Sequence, residues 1–327
     1  LAVENALKTA FDWKRRKNID KGIDAKGDKI IYFNQAFHGR SGYTLTLTNT
    51  SDPRKTMYFP KFDWPRINNP YLSFPITDEV IENVKAKEDL AVSQIIKAVE
   101  SNPYKIAGLI IEPIQGEAGI IIPDIEWLPE VRKICTENNI LLILDEIQSG
   151  LGRTGKMFAF EHSSIKPDGL ILGKALGGGL LPISCFLSTS EVMQWFVPGS
   201  HGSTFGGYPL AAAIGKRSLE VIEEEKLVEN SNQQGSYFLA ELKKIKSPIL
   251  KQIRGKGLWI GVEIDTKIID GRNICKHLLK KGILSKETHA SIIRFAPPLI
   301  IEKKEIDWAV QTFKETLKEI EENQIHK

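Results

Sequence analysis

Short, continuous apolar runs alternate with segments in which apolar positions recur every three or four residues. The runs Ile30 to Phe33, Ala107 to Ile111, Ile140 to Leu144, Gly169 to Gly173 and Pro182 to Leu187 are too short for helices and lack inside/outside alternation. They predict strands buried on both faces. Helical spacing marks residues 2 to 16, Leu90 to Ser101 and Leu128 to Asn138. That alternation predicts an α/β fold with a mainly parallel central sheet. A polar, proline-dotted stretch from Thr48 to Pro75 reads as irregular surface or interface. Near Pro209 the pattern changes to amphipathic helices at Leu210 to Glu225 and Leu227 to Lys244. A strand at Gly257 to Ile264, a helix at Ile274 to Lys281, a strand at Ile292 to Phe295 and a charged helix from Lys303 to about Glu322 follow. Residues 1–213 are expected to form a large domain and residues 214–327 a smaller α+β one.

Two of the strands end in opposite charges. Ile140 to Leu144 runs into Asp145, and Gly169 to Gly173 runs into Lys174 and the glycines 177 to 179. Ligands of open parallel sheets bind outside the carboxyl ends of the strands, so this acid and this amine are expected to face one crevice. A cofactor with a cationic ring nitrogen and an aldehyde needs such a pair. Pyridoxal phosphate is that cofactor: a lysine holds its aldehyde, and an acid keeps its ring nitrogen protonated. Gln148, in Asp145-Glu146-Ile147-Gln148, is placed to donate to the ring oxygen. Taken alone, Lys174 is a solvated strand-end lysine and Asp145 a helix cap; the shared context decides between the readings.

Composition narrows the field. The 327 residues exceed the usual size of a single core, and 42% hydrophobic with 26% charged residues is ordinary globular usage. A formal charge of +3 carries no polyelectrolyte signal for nucleic acid or lipid. No apolar run is long enough to span a bilayer. Cys135, Cys185 and Cys275 fit neither a disulfide framework nor a metal-ligand spacing, which points to a reducing, cytoplasmic setting without a metal.

Other motifs compete. Gly150-Leu151-Gly152-Arg153-Thr154-Gly155-Lys156 matches the core of a phosphate-binding P-loop, but Met157 replaces its Ser/Thr and five residues separate it from the strand. Arg40 and Arg294 are candidates for clamping carboxylates. Arg294 sits in the apolar run Ile292-Ile293-Arg294-Phe295-Ala296-Pro297-Pro298 and needs a partner, for which Glu117 is the best candidate. Ser203 and Thr204, followed by Phe205-Gly206-Gly207, offer donors suited to phosphate. His38 and His201 have no ligand-spaced partners and read as local hydrogen-bonders.

Together these segments resemble the class III pyridoxal-phosphate-dependent aminotransferases over essentially the whole chain. From about Gly108 the motifs EPIQGEAGI, LLILDEIQSGLGRTGK, LILGKALGGG, PGSHGSTFGG and KETH…IIRFAPPL resemble ornithine aminotransferases. Residues 1 to about 75, through LAVENALKTAFDWK, AFHGRSGYTLTLTNT and YFPKFDWPRI, instead resemble lysine 6-aminotransferases. The resemblance implies fold type I, with a seven-stranded type of central sheet, and a homodimer. It implies that Lys174 binds the cofactor aldehyde and then moves the substrate proton. Asp145 would pair with the ring nitrogen, Gln148 with the ring hydroxyl and Phe37 with the ring face, with His38 and Ser203 also at the cofactor. Thr204 would reach the cofactor phosphate of the other subunit.

By the same resemblance, Arg40 would hold the α-carboxylate of ornithine or lysine, so that the distal amine reacts. Glu117 would neutralise Arg294 until 2-oxoglutarate enters and Arg294 takes its carboxylate. The family's phosphate-binding Gly-Ala pair precedes the position of Leu1, and the chain is expected to be an N-terminally truncated fragment. Tyr208 stands where asparagine is usual. The rival readings are another class III donor such as acetylornithine and an inactive relative serving as a dimerisation module.

Overall fold

A computed structural model describes residues 1–50 and 52–325. Helix α1 (Ala2–Asp20) turns Ala2, Val3, Ala6, Leu7, Ala10 and Trp13 inward, the spacing of one buried helical face. It precedes β1 (Lys29–Phe33), α2 (Gly42–Leu47) and β2 (Arg66–Ile67). Helix α3 (Asp78–Glu100) begins at Thr77, whose hydroxyl accepts from Val80 N at 3.2 Å. Next come β3 (Ile106–Ile111), α4 (Trp127–Glu137), β4 (Leu141–Asp145), β5 (Gly169–Leu172), β6 (Cys185–Ser188) and α5 (Ser190–Met193).

These strands form one mixed sheet in the order β2-β1-β3-β4-β5-β6, parallel except that β6 runs antiparallel to β5. The sheet holds six strands among the described residues, where a seven-stranded type was expected. Both faces are covered. Ile30, Tyr32, Leu141 and Ile143 pack with α1 on one side, and Ile31, Phe33, Leu142 and Leu144 pack with α3 and α4 on the other. This two-sided burial is why the strands read as unbroken apolar runs. The direction of winding reverses between β1 and β3, which opens a crevice at their carboxyl ends.

Helices α6 (Pro209–Glu224) and α7 (Leu227–Lys243) lead to a second, antiparallel sheet. It consists of β7 (Leu250–Gly255), β8 (Ile260–Ile264), β9 (Lys286–Thr288) and β10 (Ile292–Phe295) in the order β7-β8-β10-β9. Helices α8 (Gly271–Lys280) and α9 (Lys303–Ile325) complete this unit. Its core joins Phe238 and Leu242 of α7, Ile274 and Leu278 of α8, and Phe313 and Leu317 of α9 to the sheet. The expected strand from Gly257 starts instead at Ile260, and β7 and β9 are additional. The expected division at 213/214 falls inside α6, which packs through Gly215 against Leu176 and Ile183 of the large unit.

Two arginines, Arg254 buried and Arg153 partly exposed, bind the units together. Arg153 donates to the carbonyls of Leu258 (3.0 Å) and Pro297 (2.7 Å). Arg254 donates to those of Gly119 (2.8 Å) and Ile120 (3.0 Å), and to Glu263 at 2.8 Å. The crevice therefore has one wall from each unit. No helix of the described residues is long and apolar enough to cross a membrane.

Candidate active site

The floor of the crevice is a buried polar cluster. Asp145, the last residue of β4, is 4% exposed. Its Oδ1 accepts from Ile147 N at 3.1 Å, and its Oδ2 lies 2.7 Å from Nδ1 of His38, which is also buried. Burial opposes a charge on that ring, yet the hydrogen bond and charge of Asp145, with Glu112 behind, raise its pKa. Nδ1 is thereby the proton carrier facing the carboxylate. The other ring nitrogen, Nε2, is buried with no partner.

Glu112 follows β3 and was not foreseen as a site residue. Its Oε1 accepts from Phe37 N at 2.8 Å and its Oε2 from Gly116 N at 3.2 Å. One carboxyl thus ties the loop after β1 to the loop after β3, and burial pushes its pKa up to about 7. The Glu112-Pro113 step at a strand end was the only local sign of it.

Lys174 follows β5 in a short 3₁₀ turn, with φ at +44°. A left-handed lysine carries backbone strain, which persists where surrounding structure enforces it. Here the turn is closed by hydrogen bonds from Leu176 N to Gly173 O (3.1 Å) and from Gly178 N to Ala175 O (3.0 Å). Desolvation lowers the pKa of the amine, against the opposing pull of Asp145 and Glu112, and Arg294 lowers it further. A lysine so placed is a better nucleophile and base at neutral pH.

Lys174 and Gln148 stand between two cavities. One, about 880 Å³, is largely apolar and reaches Leu151, Ile214, Trp259 and Leu299. The other, about 500 Å³, is polar and brings Lys174 together with Phe37, Arg40, Lys55, Glu117, His289 and Arg294. Arg40 lies over the Phe37 ring, 5.8 Å from its centroid. Of the site residues expected from the sequence, Lys174, Gln148, Phe37, Arg40, Glu117 and Arg294 line this one space, with Asp145 and His38 beneath it.

The expected ion pair between Glu117 and Arg294 is replaced by other contacts. Oε1 of Glu117 lies 3.0 Å from Lys55 Nζ and Oε2 lies 3.5 Å from His289 Nε2. These partners, His289 foremost, hold its pKa down to about 2. Arg294 donates instead to Gly116 O at 3.0 Å. The arginine's charge is partnered by a carbonyl one residue before the expected acid, which leaves part of its planar fork facing the cavity. Lys55 lies in the stretch read as irregular surface. His289, though part of the KETH motif, carried no assigned role.

Ser203 and Thr204 lie on the exposed loop before α6, outside both cavities. Gly150 to Lys156 is a packing turn. Arg153 points to the second unit, Ser231 Oγ donates to Arg153 O at 3.1 Å, and Gly257 (φ +56°) abuts the backbone of Thr154 and Gly155. Among the described residues this turn is followed by a five-residue 3₁₀ turn, Ala159–Ser163, and not by an α-helix whose N-terminus could receive a phosphate.

The family model described as aminotransferase class-III matches residues 1–317. The chain belongs to the class III aminotransferases. Class III enzymes are pyridoxal-phosphate-dependent transaminases, and so is this one. Among curated relatives, an ornithine aminotransferase from Staphylococcus carnosus (strain TM300) is 46% identical over 313 residues, 96% of this chain and 72% of the relative. One from Bacillus subtilis (strain 168) is 43% identical over 317 residues, 97% and 72% of the two chains. Among solved structures, a lysine aminotransferase from M. tuberculosis superposes with a TM-score of 0.91 at 36% identity, covering 98% of this chain and 73% of that one. An ornithine aminotransferase from Toxoplasma gondii gives 0.84 at 34% identity, covering 98% and 70%.

The residues present fit the cofactor of a class III aminotransferase. An amine of lowered pKa, an amide and an aromatic ring line one cavity, and the buried carboxylate of Asp145, braced by His38, is near enough for its charge to act on that amine. Asp145 keeps a second lone pair on each oxygen, the acceptor that a protonated ring nitrogen needs.

Proposed function

We propose that this chain transfers the distal amine of ornithine to 2-oxoglutarate, giving a semialdehyde and glutamate, with lysine as the second donor. The observation that carries the reading is the polar cavity in which Lys174 faces Arg40 and Arg294 across the Glu117 carboxylate. A diamino acid needs a cation far from the reacting amine and an uncharged approach near it. A dicarboxylic oxo acid needs two cations. Ornithine is favoured by the curated relatives, and the likeness to the lysine aminotransferase structure keeps lysine as the alternative.

In this reading the bound cofactor supplies an electron sink for the carbon that loses its proton. Lys174 would hold the cofactor through its aldehyde, and its Nζ would be the group that carries that proton. Asp145, oriented by His38, holds the ring nitrogen in its protonated form, and Gln148 donates to the ring hydroxyl. Phe37 covers the ring face. Arg40 binds the α-carboxylate of the diamine, and Arg294 binds the far carboxylate of the oxo acid. Ser203 and Thr204 serve the phosphate of a second copy's cofactor, so the working form is a homodimer. Two exposed apolar side chains, Phe205 next to Thr204 at 82% and Leu180 after the Lys174 turn at 74%, support that assembly. Cytoplasm is the proposed location, with free thiols at Cys135, Cys185 and Cys275.

The test is a pair of half-reactions followed by the cofactor's absorbance, with ornithine and lysine as donors and 2-oxoglutarate as acceptor. Ornithine is expected to react faster than lysine, with glutamate formed stoichiometrically. Absence of glutamate with both diamines would refute the proposal.

A further inference from the structure

Glu117 meets a lysine and a histidine in the polar cavity, and neither contact is with Arg294. Its Oε1 lies 3.0 Å from Lys55 Nζ and its Oε2 3.5 Å from His289 Nε2, while Arg294 donates to the carbonyl of Gly116 at 3.0 Å. Lys55 and Glu117 side chains are only 23% and 20% exposed, so the pair is shielded from much of the solvent screening that weakens surface ion pairs. Glu117 is next in sequence to the residue whose carbonyl Arg294 holds, and its charge acts on the guanidinium. A carboxylate so near would compete with an incoming carboxylate for the same planar fork.

We propose that Lys55 is a specificity-determining positioning residue: by drawing Glu117 to itself it keeps Arg294 open for the far carboxylate of a dicarboxylic oxo acid. The inference rests on the transaminase reading above and adds a residue to it. In that reading a diamine's single carboxylate is assigned to Arg40, not to Lys55. Its loss therefore separates the two substrates. Without Lys55, Glu117 retains His289 alone and turns toward Arg294, closing the acceptor subsite and leaving the donor subsite intact.

Glutarate, a dicarboxylate that cannot react, is the probe, with binding to the holoenzyme measured by calorimetry. Lys55→Met is expected to weaken glutarate about 10-fold, the scale of one partly buried charge pair, with Lys55→Arg close to the unaltered protein. In the Glu117→Gln background the same Lys55→Met change is expected to cost less than about threefold, because no carboxylate remains to occupy Arg294. The rate and KM of the ornithine half-reaction are expected to change by a smaller factor in Lys55→Met than glutarate binding does. Unchanged glutarate binding in Lys55→Met, an equal loss in the Glu117→Gln background, or no glutarate binding to the unaltered protein would each overturn the proposal. The ornithine half-reaction of the unaltered holoenzyme separates the two readings. Its absence removes the donor assignment, whereas its presence beside unchanged glutarate binding in Lys55→Met removes only the role of Lys55.

Discussion

Glu112→Gln should change stability by an amount that depends on pH. The carboxyl is 5% exposed and accepts two backbone N–H groups, from Phe37 and Gly116. Glutamine keeps one acceptor oxygen and turns an NH₂ toward the other N–H, leaving a buried donor unsatisfied at a cost of about 1–3 kcal/mol. Against this stands the cost of burying the charge. Burial raises the carboxyl's pKa from 4.5 to about 7, with Asp145 adding to it and His38 opposing. The folded pKa lies above the unfolded one, so the stability linked to the neutral form is complete below the unfolded value and is lost as pH rises through about 7. That loss amounts to about 3 kcal/mol, most of it between roughly pH 5 and 8. The amide does not titrate, so the variant should be less stable than the unaltered protein at pH 5 and close to it at pH 8. At roughly 2 °C per kcal/mol for a chain of this size, the difference in Tm should shrink by about 5 °C across that range. Thermal unfolding of both proteins at four pH values measures it. A difference in Tm that stays constant with pH would show that Glu112 ionises normally and would refute the argument.

Gly235→Ala in α7 should destabilise by at least about 2 kcal/mol, although alanine gains about 1 kcal/mol in an ordinary helix. A Cβ there would collide with the backbone of Gly257, and calorimetric unfolding would report the loss. Cys135 is buried, and burial pushes its thiol up to about 12, so iodoacetamide at pH 8 should leave it unlabelled until the protein is denatured. Peptide mapping after labelling checks this, and rapid native labelling would contradict it. In the Lys55→Met background, Glu117→Ala should raise the rate with α-amino donors such as glutamate relative to ornithine, because it removes the carboxylate that would otherwise turn toward Arg294. An unchanged ratio of the two half-reaction rates would count against the proposed division of the site.

Sequence patterning reports burial well and partnership poorly, and the residues divide along that line. The runs that became β3, β4 and β5 were legible because both faces are covered, so nearly every position is apolar. The charged ends of β4 and β5, Asp145 and Lys174, were legible because a charge terminating such a run is conspicuous. Strands β7 and β9 were not. Their Lys251, Gln252, Arg254, Lys286 and Glu287 belong to the two edges of the small sheet, where polar side chains are tolerated. The first turns of α3 escaped for a related reason: only Val84 and Glu88 are buried before Ala91, too few to set a period.

The site's wiring follows the same division. Asp145 was visible as an acid at a strand end, but that His38 lies 107 residues upstream against it is a fact of topology. The crevice opens between β1 and β3, so the loops after those strands meet there whatever their separation in the chain. Glu112 closes that meeting by accepting one N–H from each loop. The Arg294 environment illustrates both the reach and the limit of reasoning from residues. A guanidinium in an apolar run must be partnered, and it is; the physics does not say whether by a carboxylate or by a carbonyl next to it. Choosing the carbonyl frees Glu117 for Lys55 and His289 and leaves part of the Arg294 guanidinium facing the pocket, where the proposed second carboxylate would bind. On that reading, whether a diamine donor and a dicarboxylic acceptor can share Lys174 would turn on which of Lys55, His289 and Arg294 Glu117 prefers.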